Sequence, residues 1–420
     1  MVSFFVLVLA RAEERGFSVI QAHLAALHNS SVDPASLASC TISADEPCAL
    51  SDLPLGERTL VYPGGDTRCL GGGAYAFEVT RGDPERVLFY FQGGGACWDE
   101  LSTSIPLCSQ ALWPQSPAGW FDRADARNPL RGYTVVTALY CSGDAHVADN
   151  ATQPWAAAFG RDAPARQTGQ QNVAAALAWL AAQAYVRLPL ARLVVSGESA
   201  GSLGAQAWSD ALLAALPARA RVVLPDSYLG IFPPGSQGGI LRDTWPVCDG
   251  GGALARSLSP ALRAACRAGN LTLQAWVGEA MARHGATAFA WIQSKEDAVQ
   301  RAYYAALAAT LGAPPLALGP DEFYRRANEV LLEYDAAPNA VHFLAQAAMH
   351  TYTEAAWFYS ATPSGLGGGG GGPRLSEWVA GLVGSPPVAS TECDGEQLEQ
   401  AEWSGRAYCA KEMAGKVFSP

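Results

Sequence analysis

The chain has 420 residues, of which 49% are hydrophobic and 16% are charged, and its net charge is -11 at pH 7. This composition predicts a compact globular protein rather than a disordered one. The acidic balance, without clusters of Lys and Arg, argues against a nucleic-acid partner, because binding phosphates needs concentrated positive charge. It also disfavours a strongly polyanionic substrate.

The N-terminal segment 1–12, MVSFFVLVLARA, is an apolar stretch followed by Ala-Arg-Ala, which is typical of a signal peptide and its cleavage site. The usual basic start is missing, so an incomplete N-terminus or a buried strand remains an alternative. Asn29, Asn150 and Asn270 begin glycosylation acceptor sequences. No apolar run reaches the roughly 18 to 20 residues that cross a bilayer. We expect a secreted or luminal protein without a transmembrane segment.

The ten cysteines include no Cys-x-x-Cys pair, so disulfides are favoured over a zinc site or a redox dithiol. We predict a disulfide between Cys97 and Cys108, which closes a loop of about 12 residues. Two buried free thiols are the alternative. Three further pairs are plausible by proximity in the chain: Cys40/Cys48, Cys248/Cys266 and Cys393/Cys409.

Residues 13–55 are predicted to be an irregular lead-in, and the pattern sharpens from Tyr75 onwards. Strands are predicted at 74–79 and 86–95, which we expect to be neighbours, and then at 132–143, 192–197, 221–227, 287–294 and 340–346. Helices are predicted at 168–186, with Thr168 as the cap, and at 200–216, 295–311 and 375–383. Strands that alternate with helices predict an α/β fold with a mostly parallel central sheet covered by helices on both faces. We expect one domain over 56–420, with a glycine-rich surface loop at 363–374.

The segment LVVSGESAGS, residues 193–202, ends a strand and begins a helix with a serine between two glycines. Gly197 and Gly201 leave room for a sharp turn that projects the Ser199 hydroxyl outward, which is the layout of a nucleophile elbow. An ordinary turn between strand and helix is the alternative. The position favours a site, because open α/β sheets bind ligands at the carboxyl ends of their strands.

A nucleophilic serine needs a base, and in this fold the acid and then the histidine follow it in the chain. His350 lies just past the last predicted strand and is the favoured base. His342 alternates inside that strand, and His284 ends a helix, where a cation suits the dipole.

The acid is expected at the end of a strand between the serine and the histidine. Asp297 follows the strand at 287–294 and is favoured, although an acid in the first turn of a helix commonly only complements the helix dipole. Glu296, Asp226 and Asp335 remain alternatives.

An ester-cleaving serine also needs donors for the developing oxyanion. The segment FQGGGACW, residues 91–98, supplies three glycines at the end of a strand, and Ala200 follows the serine. A phosphate-binding turn is the alternative, but the Lys-Ser/Thr of a P-loop does not follow.

Five blocks, FQGGGACWDE, YCSGDAH, VVSGESAGS, PDSYLGIF and SKEDAVQ, occur in the order found in the pectin acetylesterase and Notum family. The chain resembles this family over residues 60–385, and the resemblance implies an α/β-hydrolase-like serine carboxylesterase that needs no cofactor or metal. The segment MHTYTE departs from the His-Cys pairing of the plant enzymes. The implied triad is Ser199, Asp297 and His350, with Gln300 completing an Asp-x-x-Gln pattern. The implied oxyanion donors are Gly94, Gly95 and Ala200.

We therefore expect a monomeric hydrolase that removes acetyl or other short acyl groups from a carbohydrate. Four tryptophans in predicted loops suit stacking on sugar faces, although burial in a core is their commoner role. They are Trp98, Trp113, Trp120 and Trp155. The alternatives are a Notum-type esterase for long acyl chains on protein or lipid, and a non-catalytic homologue that only binds a ligand.

Overall fold

The computed structural model describes residues 17–155, 164–366, 372–384 and 388–391, together with the backbone of 417–418. The predicted signal peptide, Cys393, Cys409 and the centre of the glycine-rich loop lie outside these residues. Within them, no helix combines the length and the apolar character needed to cross a membrane.

The described strands and helices alternate over most of the chain. In chain order the strands are β1 (Ala38–Thr41), β2 (Arg58–Tyr62), β3 (Phe77–Thr80), β4 (Asp83–Phe91), β5 (Tyr133–Ala138), β6 (Ala151–Gln153), β7 (Ala165–Gln167), β8 (Leu190–Glu198), β9 (Ala218–Asp226), β10 (Ala288–Ser294), β11 (Ala340–Ala345), β12 (Val388–Ala389) and β13 (Val417–Phe418). The helices are α1 (17–30), α2 (Glu100–Ser104), α3 (Gly169–Ala181), α4 (Ala200–Ala215), α5 (Gln237–Gly239), α6 (Ala253–Ser257), α7 (Pro260–Arg267), α8 (Leu273–Arg283), α9 (Ala298–Leu311), α10 (Pro320–Asp335) and α11 (Leu375–Val383).

The central sheet has nine strands in the order β1-β2-β3-β5-β4-β8-β9-β10-β11. Only β3 runs antiparallel to its neighbours, so the predicted mostly parallel α/β sheet is confirmed. The two strands expected to be neighbours, β3 and β4, do not pair, because β5 lies between them. The strands from β4 to β11 in this order are all parallel, and their carboxyl ends therefore share one edge of the sheet.

The sheet is buried on both faces, as the continuous apolar strands predict. In β4, Phe89 and Phe91 belong to the core on one face, whereas Leu88 and Tyr90 belong to the core on the other. This alternation follows from the two-residue period of a strand. Burying one such side chain fully contributes about 1.5 to 3 kcal/mol, so the register of the central strands is strongly specified.

The lead-in predicted to be irregular contains regular structure. Residues 17–30 are helical, and β1 adds a parallel strand beside β2. Ile20 and Leu24 are buried, and Leu27 packs against the same core. Their spacing of four and three residues is the apolar stripe of an amphipathic helix, so the sequence does carry a signal for this helix.

Four disulfides join all eight cysteines of the described residues. The predicted Cys97–Cys108 bond is confirmed, and the Cys40/Cys48 and Cys248/Cys266 pairs also form. The remaining bond joins Cys69 to Cys141 across 72 residues. Proximity along the chain could not have predicted it, because the fold of the sheet brings its two ends together.

We expect the Cys69–Cys141 bond to contribute most to stability, because it closes the longest loop. The double variant Cys69→Ala/Cys141→Ala should lower the free energy of unfolding by about 4 kcal/mol in the chain-entropy model. The matched variant Cys40→Ala/Cys48→Ala, which opens a loop of 8 residues, should lower it by about 2.5 kcal/mol. Urea unfolding measures both values, and an equal or larger loss in the second variant would contradict this ranking.

Candidate active site

Ser199 lies on a sharp turn between β8 and α4, as the elbow pattern predicts. Its φ of 55° and ψ of -122° are rarely adopted by a residue with a side chain. A methyl group at Gly201 would overlap the Phe91 carbonyl oxygen of β4, and one at Gly197 would overlap the Gly201 carbonyl. Both glycines are therefore required by close backbone approach.

A hydrogen bond from the backbone N–H of Ser199 to the Asp226 carbonyl oxygen, at 3.0 Å, holds the turn against β9. Such a conformation costs of the order of 1 to 3 kcal/mol and persists only where the surroundings enforce it. The hydroxyl is thereby fixed at the carboxyl edge of the sheet.

Ser199, His350 and Asp297 form one continuous hydrogen-bonded chain. His350 Nε2 lies 2.8 Å from Ser199 Oγ, and His350 Nδ1 lies 2.8 Å from Asp297 Oδ2. All three residues are buried. This arrangement can move a proton from the hydroxyl to the imidazole while the carboxylate orients the ring.

Asp297 is held by the start of α9. Its Oδ1 accepts the backbone N–H groups of Val299 and Gln300, and its Oδ2 accepts the Gln300 side-chain amide at 2.9 Å. The carboxylate therefore caps the helix and orients His350 at once, so the two interpretations offered by the sequence are compatible. The Asp-x-x-Gln pattern corresponds to this amide contact.

The competing candidates have other partners. Glu296 accepts a hydrogen bond from the Gln346 side chain, and His284 forms a partly buried pair with Asp210. His342 lies within β11, close to Ser390, and Asp335 ends α10.

Asp226 holds the loop that carries the histidine, a role that sequence reasoning missed. Its Oδ2 accepts the backbone N–H groups of Tyr352 and Thr353, both at 2.8 Å. Its Oδ1 accepts the Ser227 hydroxyl. Its position at the end of β9 marked it in the sequence as a candidate, but only the fold shows which loop it fixes.

The glycine-rich loop after β4 lies beside the serine. Two backbone hydrogen bonds flank Gly95: Ala96 N–H to the Leu107 carbonyl at 3.1 Å, and Ser109 N–H to the Gly94 carbonyl at 2.7 Å. The Cys97–Cys108 disulfide ties these two segments together. The Gly95 N–H takes no part in the two flanking hydrogen bonds. Ala200 begins α4, so its N–H has no acceptor within the helix. Gly95 and Ala200 line the cavity at Ser199, whereas Gly94 is not part of that lining.

A cavity of about 70 Å³ opens at Ser199 and His350. Its wall is mostly apolar, and the Gln300 side chain is one of its few polar groups. The larger apolar lining residues include Trp98, Leu203, Phe232, Ile240, Trp245 and Leu307. The arrangement can hold an apolar group next to the serine hydroxyl.

The four loop tryptophans are buried or partly buried, which is the commoner of the two roles expected for them. Trp98, Trp120 and Trp155 are buried, and Trp113 is partly buried and stacks on His28 with ring centroids 4.5 Å apart. None of the four is exposed, although Trp98 also lines the cavity at Ser199.

His23 of α1 packs edge-on against His350, with ring centroids 4.8 Å apart. Its Nε2 is buried and has no hydrogen-bond partner in the described part of the chain. Burial, with a smaller effect of His350, lowers the pKa of His23 to about 3, so this ring is neutral. No signal in the sequence linked this residue to the site, because its segment was predicted to be irregular.

Potential metal ligands of the described residues come together at Cys40, Glu46 and Cys48. The two sulfurs are joined in a disulfide, so they are not available as thiolates.

The fold resembles that of the Wnt deacylase Notum from Drosophila. One crystal form matches with a TM-score of 0.51 and 16% sequence identity, over 71% of this chain and 86% of that chain. A second crystal form matches with a TM-score of 0.48 and 17% identity, over 72% and 89%. The chain has an α/β-hydrolase fold. No protein-family model and no curated protein sequence matches it.

We expect the close approach at Gly201 to tolerate no side chain. Gly201→Ala would place a methyl group against β4 and should lower the free energy of unfolding by about 1 to 3 kcal/mol. Gly278→Ala is a matched control, because Gly278 also lies in a helix and has open space around it. The control should raise stability by about 0.5 to 1 kcal/mol. Urea unfolding of both variants tests this, and similar values for the two would contradict the assignment.

Proposed function

We propose that the protein is a serine-dependent carboxylic ester hydrolase that works through an acyl-enzyme. The observation that carries the proposal is the hydrogen-bonded chain of Ser199, His350 and Asp297 at the mouth of an apolar cavity. The likeness of the fold to a deacylase is consistent with it.

In the proposed reaction, Ser199 Oγ attacks the ester carbonyl carbon while His350 Nε2 takes the hydroxyl proton. The tetrahedral intermediate collapses, the bond to the alcohol oxygen breaks, and His350 returns the proton to that oxygen. Water then attacks the acyl-enzyme by the same route and releases the carboxylic acid. Asp297 holds the ring and stabilises its charged form throughout.

The oxyanion that develops in both steps is assigned to the N–H groups of Gly95 and Ala200, with Gly94 as the further donor implied by the sequence resemblance. Removing one such donor typically costs about 2.7 to 4 kcal/mol of transition-state stabilisation. The disulfide beside Gly95 supports this assignment, because it keeps the loop in place before substrate arrives.

We assign the cavity as the binding site for the acyl part of the ester, which we expect to be short. One water needs roughly 10 to 15 Å³ by the same measure, so the cavity accommodates roughly five atoms of water size. That is the size of a butyryl group, and a long acyl chain would need the walls to open. The alcohol part of the substrate lies outside the cavity, and an acylated carbohydrate remains our candidate although the tryptophans do not favour it.

A secreted or luminal location fits the four disulfides, because such bonds persist in oxidising compartments. We retain the expectation of a monomer. The rival function is a non-catalytic protein that holds a ligand in the same cavity, and the experiments below separate the two.

We expect Ser199→Ala and His350→Ala each to lower esterase kcat by a factor of the order of 10^4 or more, because members of a triad act as one unit. Asp297→Ala should cause a smaller but still large loss. The measurement is hydrolysis of p-nitrophenyl butyrate by folded protein.

His342→Ala is the matched control and should keep its activity. A fluorophosphonate probe should label the wild type and not Ser199→Ala. Failure of the folded wild type to label or to hydrolyse any ester would favour the ligand-binding rival. Retained activity in His350→Ala would remove that residue as the base.

We expect kcat/KM to rise about fourfold per added methylene between acetate and butyrate, because each buried methylene contributes about 0.8 kcal/mol. It should fall at octanoate, where the chain exceeds the cavity. The p-nitrophenyl esters test this, and acetate release from acetylated glycans tests the carbohydrate. A steady rise to octanoate with no acetate released from any glycan would favour the long-chain alternative.

A further inference from the structure

Two glutamates lie buried directly behind the candidate triad. Glu198 precedes Ser199, and Glu354 follows His350 by four residues on the same loop. The exposed fractions of the two side chains are 0% and 7%. We call Glu198 and Glu354 the carboxyl pair.

The carboxyl pair connects the segments that build the site. Glu198 Oε1 accepts the backbone N–H of Gly93, the first glycine of the loop after β4. Glu354 Oε2 accepts the Gln115 side-chain amide at 2.8 Å, and its Oε1 accepts the Thr351 hydroxyl at 3.4 Å. Two carboxyl groups therefore connect the nucleophile turn with the glycine-rich loop after β4 and with the histidine loop.

One side of the carboxyl pair is incompletely satisfied. Glu198 Oε2 and Gln115 Oε1 are buried acceptors without a hydrogen-bond donor among the described residues. Glu198, Gln115 and Glu354 line a cavity of about 20 Å³, which α1 borders through Leu27 and His28. This volume holds about one water molecule.

No Lys or Arg of the described residues forms an ion pair with either glutamate. Arg58 contacts the Gln115 carbonyl, but its guanidinium is paired with Glu78. Two adjacent carboxylates buried without a cation are strongly unfavourable, so one of them is expected to keep its proton.

The other titratable groups around the pair add little positive charge. Asp226 from β9 contributes a further negative charge, and Tyr90 from β4 is a buried phenol. His28 from α1 borders the cavity, and burial lowers its pKa. His350 also interacts electrostatically with Glu354.

These surroundings shift both carboxyl groups in the same direction. Burial first, and then the mutual repulsion, raises the pKa of Glu198 well above its usual value. Burial first, and then Asp226, raises the pKa of Glu354 to about 7.

We propose that Glu198 and Glu354 share one proton, directly or through one water in their cavity, and that the single negative charge left on the pair stabilises His350 as it takes the Ser199 proton. The proton supplies the donor that Glu198 Oε2 lacks. The carboxyl pair does not touch the substrate and acts only through His350, so Glu198 and Glu354 are positioning residues. The catalytic part of this inference rests on the proposed function.

The kinetic test compares Glu198→Gln with Glu198→Gln/Glu354→Gln. In the single variant the repulsion between Glu198 and Glu354 is removed and Glu354 carries the negative charge, so the charge near His350 remains and the acid limb of the kcat/KM profile should stay in place. The double variant lacks the charge, so the imidazolium is less stable and the limb should move down by roughly one pH unit. Glu329→Gln, which removes an exposed charge on α10, should leave the limb unmoved.

A second measurement needs no activity. Because folding raises the pKa values of the pair, the folded state holds a proton that the unfolded chain has lost, and the contribution of the pair to stability falls as pH rises from 5 to 8. Urea unfolding at these two pH values should show that the wild type loses stability relative to Glu198→Gln as pH rises, whereas the difference between the wild type and Glu329→Gln should stay constant.

The proposal would be overturned if Glu198→Gln shifted the acid limb and the added Glu354→Gln shifted it again by the same amount. Each carboxylate would then carry its own charge. A cation-dependent stability would also overturn the proposal. The observation would be that the wild type becomes more heat-stable when CaCl2 or NaCl replaces part of the background salt at constant ionic strength, while the double variant does not, because a cation would then take the place of the proton. If the wild type neither labels nor hydrolyses esters, the proposed function fails, and the unfolding measurement alone still decides whether the proton is shared.

Discussion

The contact between the first turn of α4 and the end of β4 is the constraint on which the site depends. Without a side chain at Gly201, the backbone of α4 packs directly on the Phe91 carbonyl, and the chain must turn abruptly at Ser199. That turn positions the hydroxyl at the sheet edge and aims the α4 N-terminus at the same cavity. The strain at Ser199 is balanced by burial of the neighbouring strands on both faces of the sheet.

The residues that meet at this edge come from distant parts of the chain because parallel strands deliver their carboxyl ends to one side. Ser199 follows β8, Asp297 follows β10 and His350 follows β11. Each is held by a further contact: the Asp226 carbonyl holds the turn, the α9 N-terminus holds Asp297, and the Asp226 carboxylate holds the histidine loop. Helix capping and loop support therefore use the same groups that orient the candidate triad.

The sequence was sufficient to predict the alternating strands and helices, the elbow and the three residues that the fold brings together, because these depend on local patterns and on chain order. It was insufficient where the answer depends on packing between distant segments. The Cys69–Cys141 bond, the contact of His23 with His350 and the carboxyl pair all join residues more than 70 positions apart. Trp120 and Trp155 were misleading for the same reason, since loop position does not reveal burial.

Helix α1 makes the candidate active site depend on the N-terminal region, which the positions of the candidate triad alone do not show. It supplies the ring packed on His350 and borders the cavity of the carboxyl pair, yet it lies before the first strand of the sheet. A shortened protein that began at β1 would contain the sheet, the candidate triad and the four disulfides of the described residues. It would nevertheless expose one edge of the imidazole and admit bulk water to the two glutamates. Removing α1 would therefore change the surroundings of the candidate base without removing any strand of the sheet.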